Sequence, residues 1–219
     1  MDDRKNGRHK MVEVTIFVEG GNLNNQGANV PLREGFSKLL MSGLKKKNFK
    51  LNIDLRGPNN QTVKDFKNNP ADILILLDLD APGTERENKL VEFGLDNTSD
   101  KVFFMVQAME AWVLSQPNIL EKYITETYPK SGRKRLDDNI EDDDILKNKQ
   151  AQDIEKPDEK LHTLLGRYFY YEKNNEKKKP KYKSKITDGA AMLELLNINE
   201  LSNQFIDVKN LLNEIENSK

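Results

Sequence analysis

The chain has 219 residues, 32% of them charged, with a formal net charge of -1 and no cysteine. This length suits one hydrophobic core, alone or with a helical extension, while the near-zero net charge excludes a globally basic nucleic-acid binder and the missing thiols exclude disulfides and thiolate metal ligands. No stretch approaches the roughly 20 apolar residues of a membrane span, and the polar, basic Met1–Lys10 lacks the apolar centre of a signal peptide, so the expectation is a soluble cytoplasmic protein with a disordered leader over residues 1–10.

Within Met11–Val18, Val12, Val14, Ile16 and Val18 alternate with Glu13, Thr15 and Phe17, the period-two pattern of a strand. The pattern runs directly into Glu19, Gly20 and Gly21, which sets a carboxylate at the strand end beside two residues free to turn the backbone. Leu32, Phe36, Leu39, Leu40 and Leu44 recur at helical spacing behind Pro31 and predict a crossover helix. A second strand is expected at Phe49, Leu51, Ile53 and Leu55, closed by the turn signal Gly57-Pro58-Asn59-Asn60 and followed by a short helix carrying Val63 and Phe66. The aliphatic run Ile73–Leu77 reads as a strand covered on both faces, ending in Asp78-Leu79-Asp80-Ala81-Pro82-Gly83. Val102–Val106 then leads into a helix holding Met109, Trp112 and Val113. Strands alternating with helices imply right-handed crossovers and a mainly parallel sheet flanked by helices, an α/β core over residues 11–127.

Residues 128–219 read as charged loops and helices that pack on or extend this core. Leu161, Leu164, Leu165, Tyr168 and Phe169 make one amphipathic face, Ala190, Ala191, Leu193 and Leu196 another, and Val208, Leu211, Leu212 and Ile215 a last one. Between them Asp137–Asp144 holds six acids, and Lys173–Lys185 holds seven lysines and one glutamate.

The candidate chemistry sits at the strand ends. In open α/β sheets ligands collect outside the carboxyl ends of the strands, where Glu19, Asp78 and Asp80 fall. If strand geometry persists past Asp78, the two aspartates project to the same side. Carboxylates held this close repel unless a cation intervenes. Magnesium, or manganese, suits the position because it takes oxygen ligands, keeps water, and needs few protein carboxylates beside a substrate phosphate. A third acid makes a pattern fitted to phosphodiester hydrolysis. Glu110, one turn into the helix after Val102–Val106, either faces this cleft and serves a second ion or is a surface glutamate in a helix's first turn. Gln107 either orients a water or phosphate or caps the helix, and Trp112 is read as packing. Arg33 either contacts phosphate or faces solvent. The Lys173–Lys185 run is by default a solvated loop; its functional reading is a phosphate-tracking arm, with Lys181, Lys183 and Lys185 on the nucleic-acid backbone and Tyr182 stacking on bases. The acidic Asp137–Asp144 stretch reads by default as a solvated loop; its functional readings are a mimic of nucleic acid or a screen for the lysine arm, with Glu141 approaching the metal. His9 and His162 have no ligand partners at metal spacing, and neither a Walker-type phosphate loop nor Gly-x-Gly-x-x-Gly is present.

Val18-Glu19-Gly20-Gly21 followed by Asp78-x-Asp80 resembles the TOPRIM superfamily, the catalytic fold of topoisomerases, bacterial primases and overcoming-lysogenization-defect nucleases. Arg33-x-Gly35-Phe36, Met105-x-Gln107-x-Met109-Glu110-Ala111-Trp112 and the adjacent Tyr182 and Lys183 resemble, more narrowly, an uncharacterised bacterial TOPRIM-like family often encoded beside an ABC-type ATPase in defence loci. The resemblance implies a TOPRIM-like domain acting as a magnesium-dependent nuclease in a defence system. Glu19 would be the invariant glutamate, acting as ligand or as general acid/base. Asp78 and Asp80 would hold the ion, Glu110 would assist, and Lys183 would join the site. The implied partners are nucleic acid, with DNA ahead of RNA, and an ABC-type ATPase subunit, with no membrane and self-association left open. The alternative is a catalytically inactive regulatory or nucleic-acid-sensing subunit of an ATPase complex.

Overall fold

The computed structural model describes residues 11–46, 48–70, 73–135 and 137–218; the expected leader lies outside them. Four strands, β1 (Val12–Val18), β2 (Phe49–Leu55), β3 (Ile73–Asp78) and β4 (Val102–Met105), pair in parallel in the order β2-β1-β3-β4. The alternation that identifies β1 weakens toward its carboxyl end, where Phe17 is buried along with Ile16 and Val18 because helices cover both faces there. The aliphatic β3 is the inner strand expected of a continuous apolar run.

Helix α1 (Val30–Gly43) carries the chain from β1 to β2, and α2 (Asn59–Asn68) carries it back past β1 to β3. Right-handed crossovers stepping in opposite directions place α1 and α2 on opposite faces. Helix α3 (Arg86–Phe93) links β3 to β4 in the same direction as α2. On the α1 side the layer is completed from far along the chain. Helices α7 (Ala190–Leu193) and α8 (Ile198–Gln204) pack on α1, and α9 (Ile206–Asn217) packs on β4. Asp207 of α9 is buried and pairs with Arg86 at 3.2 Å, whose guanidinium also donates to the Val102 carbonyl at 3.1 Å. The intervening α4 (Met109–Leu114) is buried along its whole length and packs against α6 (Pro157–Tyr168), with α5 (Ile119–Thr127) between them in sequence.

Two segments expected as loops are structured. A second, antiparallel sheet is built from β5 (Gly132–Lys134), β6 (Phe169–Lys173) and β7 (Glu176–Lys178) in the order β5-β6-β7. Phe169, expected on the helical face, opens β6 instead. Asn174 and Asn175 turn the β6–β7 hairpin with φ of 55° and 60°, the left-handed pair that two-residue hairpin turns require. The acidic stretch is likewise tied down: Asp143 is buried, and Arg167 of α6 donates to Asp143 and Asp144 at 2.5 and 2.6 Å. Among the described residues no helix is long and apolar enough to cross a membrane.

Candidate functional site

The order β2-β1-β3-β4 reverses direction between β1 and β3, so a crevice opens outside the carboxyl ends of these two strands. Glu19 follows the end of β1 and Asp78 closes β3, one on each side of the crevice. Beyond β1 the Glu19 N–H still donates to the Leu76 carbonyl at 2.9 Å, and Gly20 exchanges two backbone hydrogen bonds with Gly57 at 2.7 and 2.9 Å. Gly21 completes the turn at φ 85°, where a Cβ would stand 2.9 Å from the Leu55 Cβ. This tight turn directs the Glu19 side chain across to β3, where its Oε2 accepts the Asp78 N–H at 2.8 Å.

Asp78 ends β3 and is buried. Its Oδ1 accepts the Met109 N–H from the first turn of α4 at 3.2 Å, and its Oδ2 pairs with the Lys185 ammonium. Glu110, in the same first turn, is only 2% exposed. Glu110 is thus not a surface glutamate but part of the cleft wall beside Asp78. Tyr182 donates to its Oε1 at 2.6 Å, while its Oε2 is buried without a hydrogen-bond partner, 4.0 Å from Lys185 Nζ.

Asp80 departs from expectation. Strand geometry does not persist past Asp78: Asp80 adopts φ 53° and Gln107 φ 62°, and the two loops are laced together by Asp80 N–H to the Gln107 carbonyl (2.8 Å) and Gln107 N–H to the Ala81 carbonyl (3.0 Å). The left-handed twist breaks the period-two alternation, so Asp80 is exposed at the rim while Asp78 is sunk in the floor. Both still line a cleft of about 340 Å³, together with Gln107, Glu110, Lys185 and the start of α6 at Lys156 and Asp158. Gln107 thus acts through its backbone rather than as a cap, and its buried side-chain amide nitrogen has no partner.

The electrostatics follow from crowding. Burial, and then the negative charge of Asp78, push the Glu19 carboxyl up to about 8. Burial also raises Asp78, to about 6, against the opposing pull of Lys185. For Lys185 burial alone would favour the neutral amine, but Asp78, Glu110 and Glu19 outweigh it and hold the ammonium charged above its ordinary range. Burial and the adjacent Glu110 carboxylate keep the Tyr182 phenol protonated.

Whether a divalent cation fits can be judged from the donors. Hard carboxylate oxygens from Glu19, Asp78, Asp80 and Glu110 are the right chemistry, and Glu110 Oε2 is an orphaned acceptor. Yet among the described residues no group of three or more acidic or histidine side chains is gathered closely enough to grip a metal. The charge that neutralises the carboxylates is Lys185. As the side chains stand, the oxygen donors are those a hard cation takes, while the place beside Asp78 and Glu110 is filled by the Lys185 ammonium.

The segment that brings Tyr182 and Lys185 here was expected to contribute Lys183 instead. In the extended run before a π-helical turn (Lys185–Gly189), Tyr182 faces inward and Lys181 and Lys183 are exposed. Lys183 reaches the region through its N–H, which donates to Asp188 at 2.5 Å, while Tyr123 donates to the same carboxylate at 2.9 Å. Arg33 is held by Gln26 and lines a separate groove with Leu51–Asp54 of β2. Trp112 is fully buried between Phe36 and Phe205, with ring centroids 6.3 and 6.4 Å away, as its packing role required. Glu141 lines a distinct surface hollow with Lys149, and His162 is exposed on α6. Asn59, unforeseen, donates to the Asp78 carbonyl at 3.1 Å from the head of α2. The signal for Lys185 was the point where the polar run meets Ile186 and the buried Gly189-Ala190, since a lysine there is carried inward with its neighbours. No protein-family model, curated protein or solved structure was found to match the chain.

Proposed function

We propose that this protein is a TOPRIM-like, magnesium- or manganese-dependent nuclease that hydrolyses phosphodiester bonds in the crevice between β1 and β3. The observation that carries the reading is that, at the topological switch of a parallel sheet, Asp78 and Glu110 face one lysine ammonium while Glu19 reaches across to accept the Asp78 N–H. Asp78 and Glu110 would hold the ion, with Asp80 supplying an exposed ligand from the rim. When bound, the ion supplies an activated water and stabilises the leaving oxygen. Glu19, raised to about 8, can take up a proton near neutral pH and release it to the departing oxygen. Lys185, displaced from Asp78, would then face the substrate phosphate as a fixed positive charge. In net terms a water oxygen bonds to phosphorus, the phosphorus–oxygen ester bond breaks, and the water's proton ends on the alcohol product.

The test is nicking of supercoiled plasmid and cleavage of labelled oligonucleotides in magnesium or manganese. Asp78→Asn and Glu19→Gln should each lower the rate about 100-fold or more, the scale of losing one stabilising group in a transition state, with unchanged far-ultraviolet circular dichroism. Metal-dependent cleavage that survives in the purified double variant refutes the proposal.

One observation favours a second reading. Lys185 already neutralises the carboxylates without an ion, as suits a regulatory or nucleic-acid-sensing subunit of an ATPase complex that has lost turnover. That reading predicts no manganese binding by calorimetry and no nicking. In either case any energy coupling would need a partner, since this sequence carries no Walker-type loop.

A further inference from the structure

The lysine run, β5–β7 and the end of α5 enclose a groove of about 760 Å³ lined by Lys173, Lys178, Lys179, Lys181 and Lys183. Glu172 is the acid on its wall. In a protein of net charge -1, five ammonium groups around one groove are a local reversal of the molecule's balance. Lys178 is bridged to Glu176 at 3.2 Å, but Lys173, Lys179, Lys181 and Lys183 make no ion pair with another described residue. These four charges face solvent uncompensated.

The same groove contains an aromatic wall. Tyr128 and Tyr171, both half-buried, stack face to face with centroids 4.4 Å apart and planes 10° from parallel. Uncommitted cations beside a partly exposed aromatic stack are the pairing that single-stranded nucleic acid uses, with phosphates on the lysines and unpaired bases extending the stack. A duplex keeps its bases stacked inside and offers no such face. The chain also ties this groove to the acidic site: Lys181 and Lys183 face outward into it, while Tyr182 between them donates to Glu110 and Lys185 pairs with Asp78. Tyr182 is thereby committed inward, and the stacking expected of it falls to Tyr128 and Tyr171.

We infer that the groove between α5 and the β5–β6–β7 sheet binds single-stranded nucleic acid and leads it to the acidic crevice. The inference rests on the proposed nuclease reading for its second half; binding in the groove does not depend on it.

The experiment is fluorescence anisotropy with the full chain in EDTA, using a labelled single-stranded DNA, the same sequence as RNA, and the corresponding duplex, at two salt concentrations. Single strands should bind at least about tenfold tighter than duplex, the scale of one base stacked on an aromatic ring. The pair K179E/K181E, both at exposed positions, should weaken strand binding at least about tenfold and reduce its salt dependence. Tyr171→Phe should bind like the parent, whereas Tyr171→Leu should lose several-fold affinity. Duplex binding as tight as strand binding, or unchanged affinity in K179E/K181E, overturns the inference. Preference between the DNA and RNA arms assigns the sugar and leaves the groove in place. Strand binding in EDTA with no cleavage after magnesium or manganese is added sinks the nuclease reading alone, and metal-dependent cleavage with unaltered affinity in K179E/K181E sinks the groove alone.

Discussion

At the level of single residues, the site is a contest between burial and charge, and this makes two behaviours predictable. Glu19 is raised in the folded state from 4.5 to about 8, so the stabilisation from its neutral form is fully present below about pH 4.5 and is lost as pH climbs through about 8. Asp78 adds the same sign over a lower window, from 3.8 to about 6. The metal-free protein should therefore melt at progressively lower temperature between about pH 5 and pH 9, and Glu19→Gln, which fixes the neutral shape, should flatten the upper part of that profile. A parent profile that rises with pH would contradict the assignment. Lys185 sets the second behaviour. Replacing it by Met leaves Asp78 and Glu110 buried without their cation, which costs about 3–5 kcal/mol in comparable buried pairs. Thermal melts of Lys185→Met should show this loss, and manganese should restore part of it by taking the vacated position. No response to manganese would mean the carboxylates do not form a cation site.

Among elements, the expectations that held were those carried by strong periodicity or special backbone residues. The strands β1 to β4 and the helix α1 follow from alternation and helical spacing, and Glu19 and Asp78 follow from where those strands stop. Asp80 was misplaced because period-two reasoning has no warning of a left-handed residue, and only the pairing of the Asp80 and Gln107 loops reveals the twist. The β6–β7 hairpin was hidden for a different reason: lysines are poor strand formers, and Asn174-Asn175 reads as another polar pair unless the tyrosines at Tyr170 and Tyr171 are weighed with it. Lys185 and Tyr182 were singled out for nucleic-acid contact, but their inward pairing with Asp78 and Glu110 was not legible because those contacts cross more than 70 residues of sequence. The turn after β1 offers an element-level test. Gly21→Ala must accept φ 85° and a Cβ 2.9 Å from Leu55 and 3.0 Å from Asn29, a combination of strain and overlap worth about 1–3 kcal/mol. Urea denaturation should register that loss, and on the proposed nuclease reading cleavage should slow as Glu19 swings away from the Asp78 N–H. A neutral result would show that the turn does not hold Glu19 in place.

At the scale of the molecule, the acidic crevice and the segment that closes it come from different halves of the chain, so the site exists only if both halves fold as one. The packing favours this. Trp112, the sole tryptophan, sits between Phe36 of α1 and Phe205 at the α8–α9 junction, while α7 and α8 rest on α1 and α9 on β4. A core shared in this way leaves neither half a complete apolar interior, and cooperative unfolding is the consequence. Trp112 fluorescence and far-ultraviolet circular dichroism should therefore trace one coincident urea transition. Phe205→Ala removes a fully buried ring that packs on Trp112 and should lower stability by about 3–5 kcal/mol. If the halves are coupled, this change moves both signals together and lowers the melting temperature of the site as reported by manganese binding. If the signals separate, with the fluorescence lost before the circular dichroism, then the C-terminal helices detach independently. Tyr182 and Lys185 would then close the crevice as a separately folding flap instead of as part of its wall.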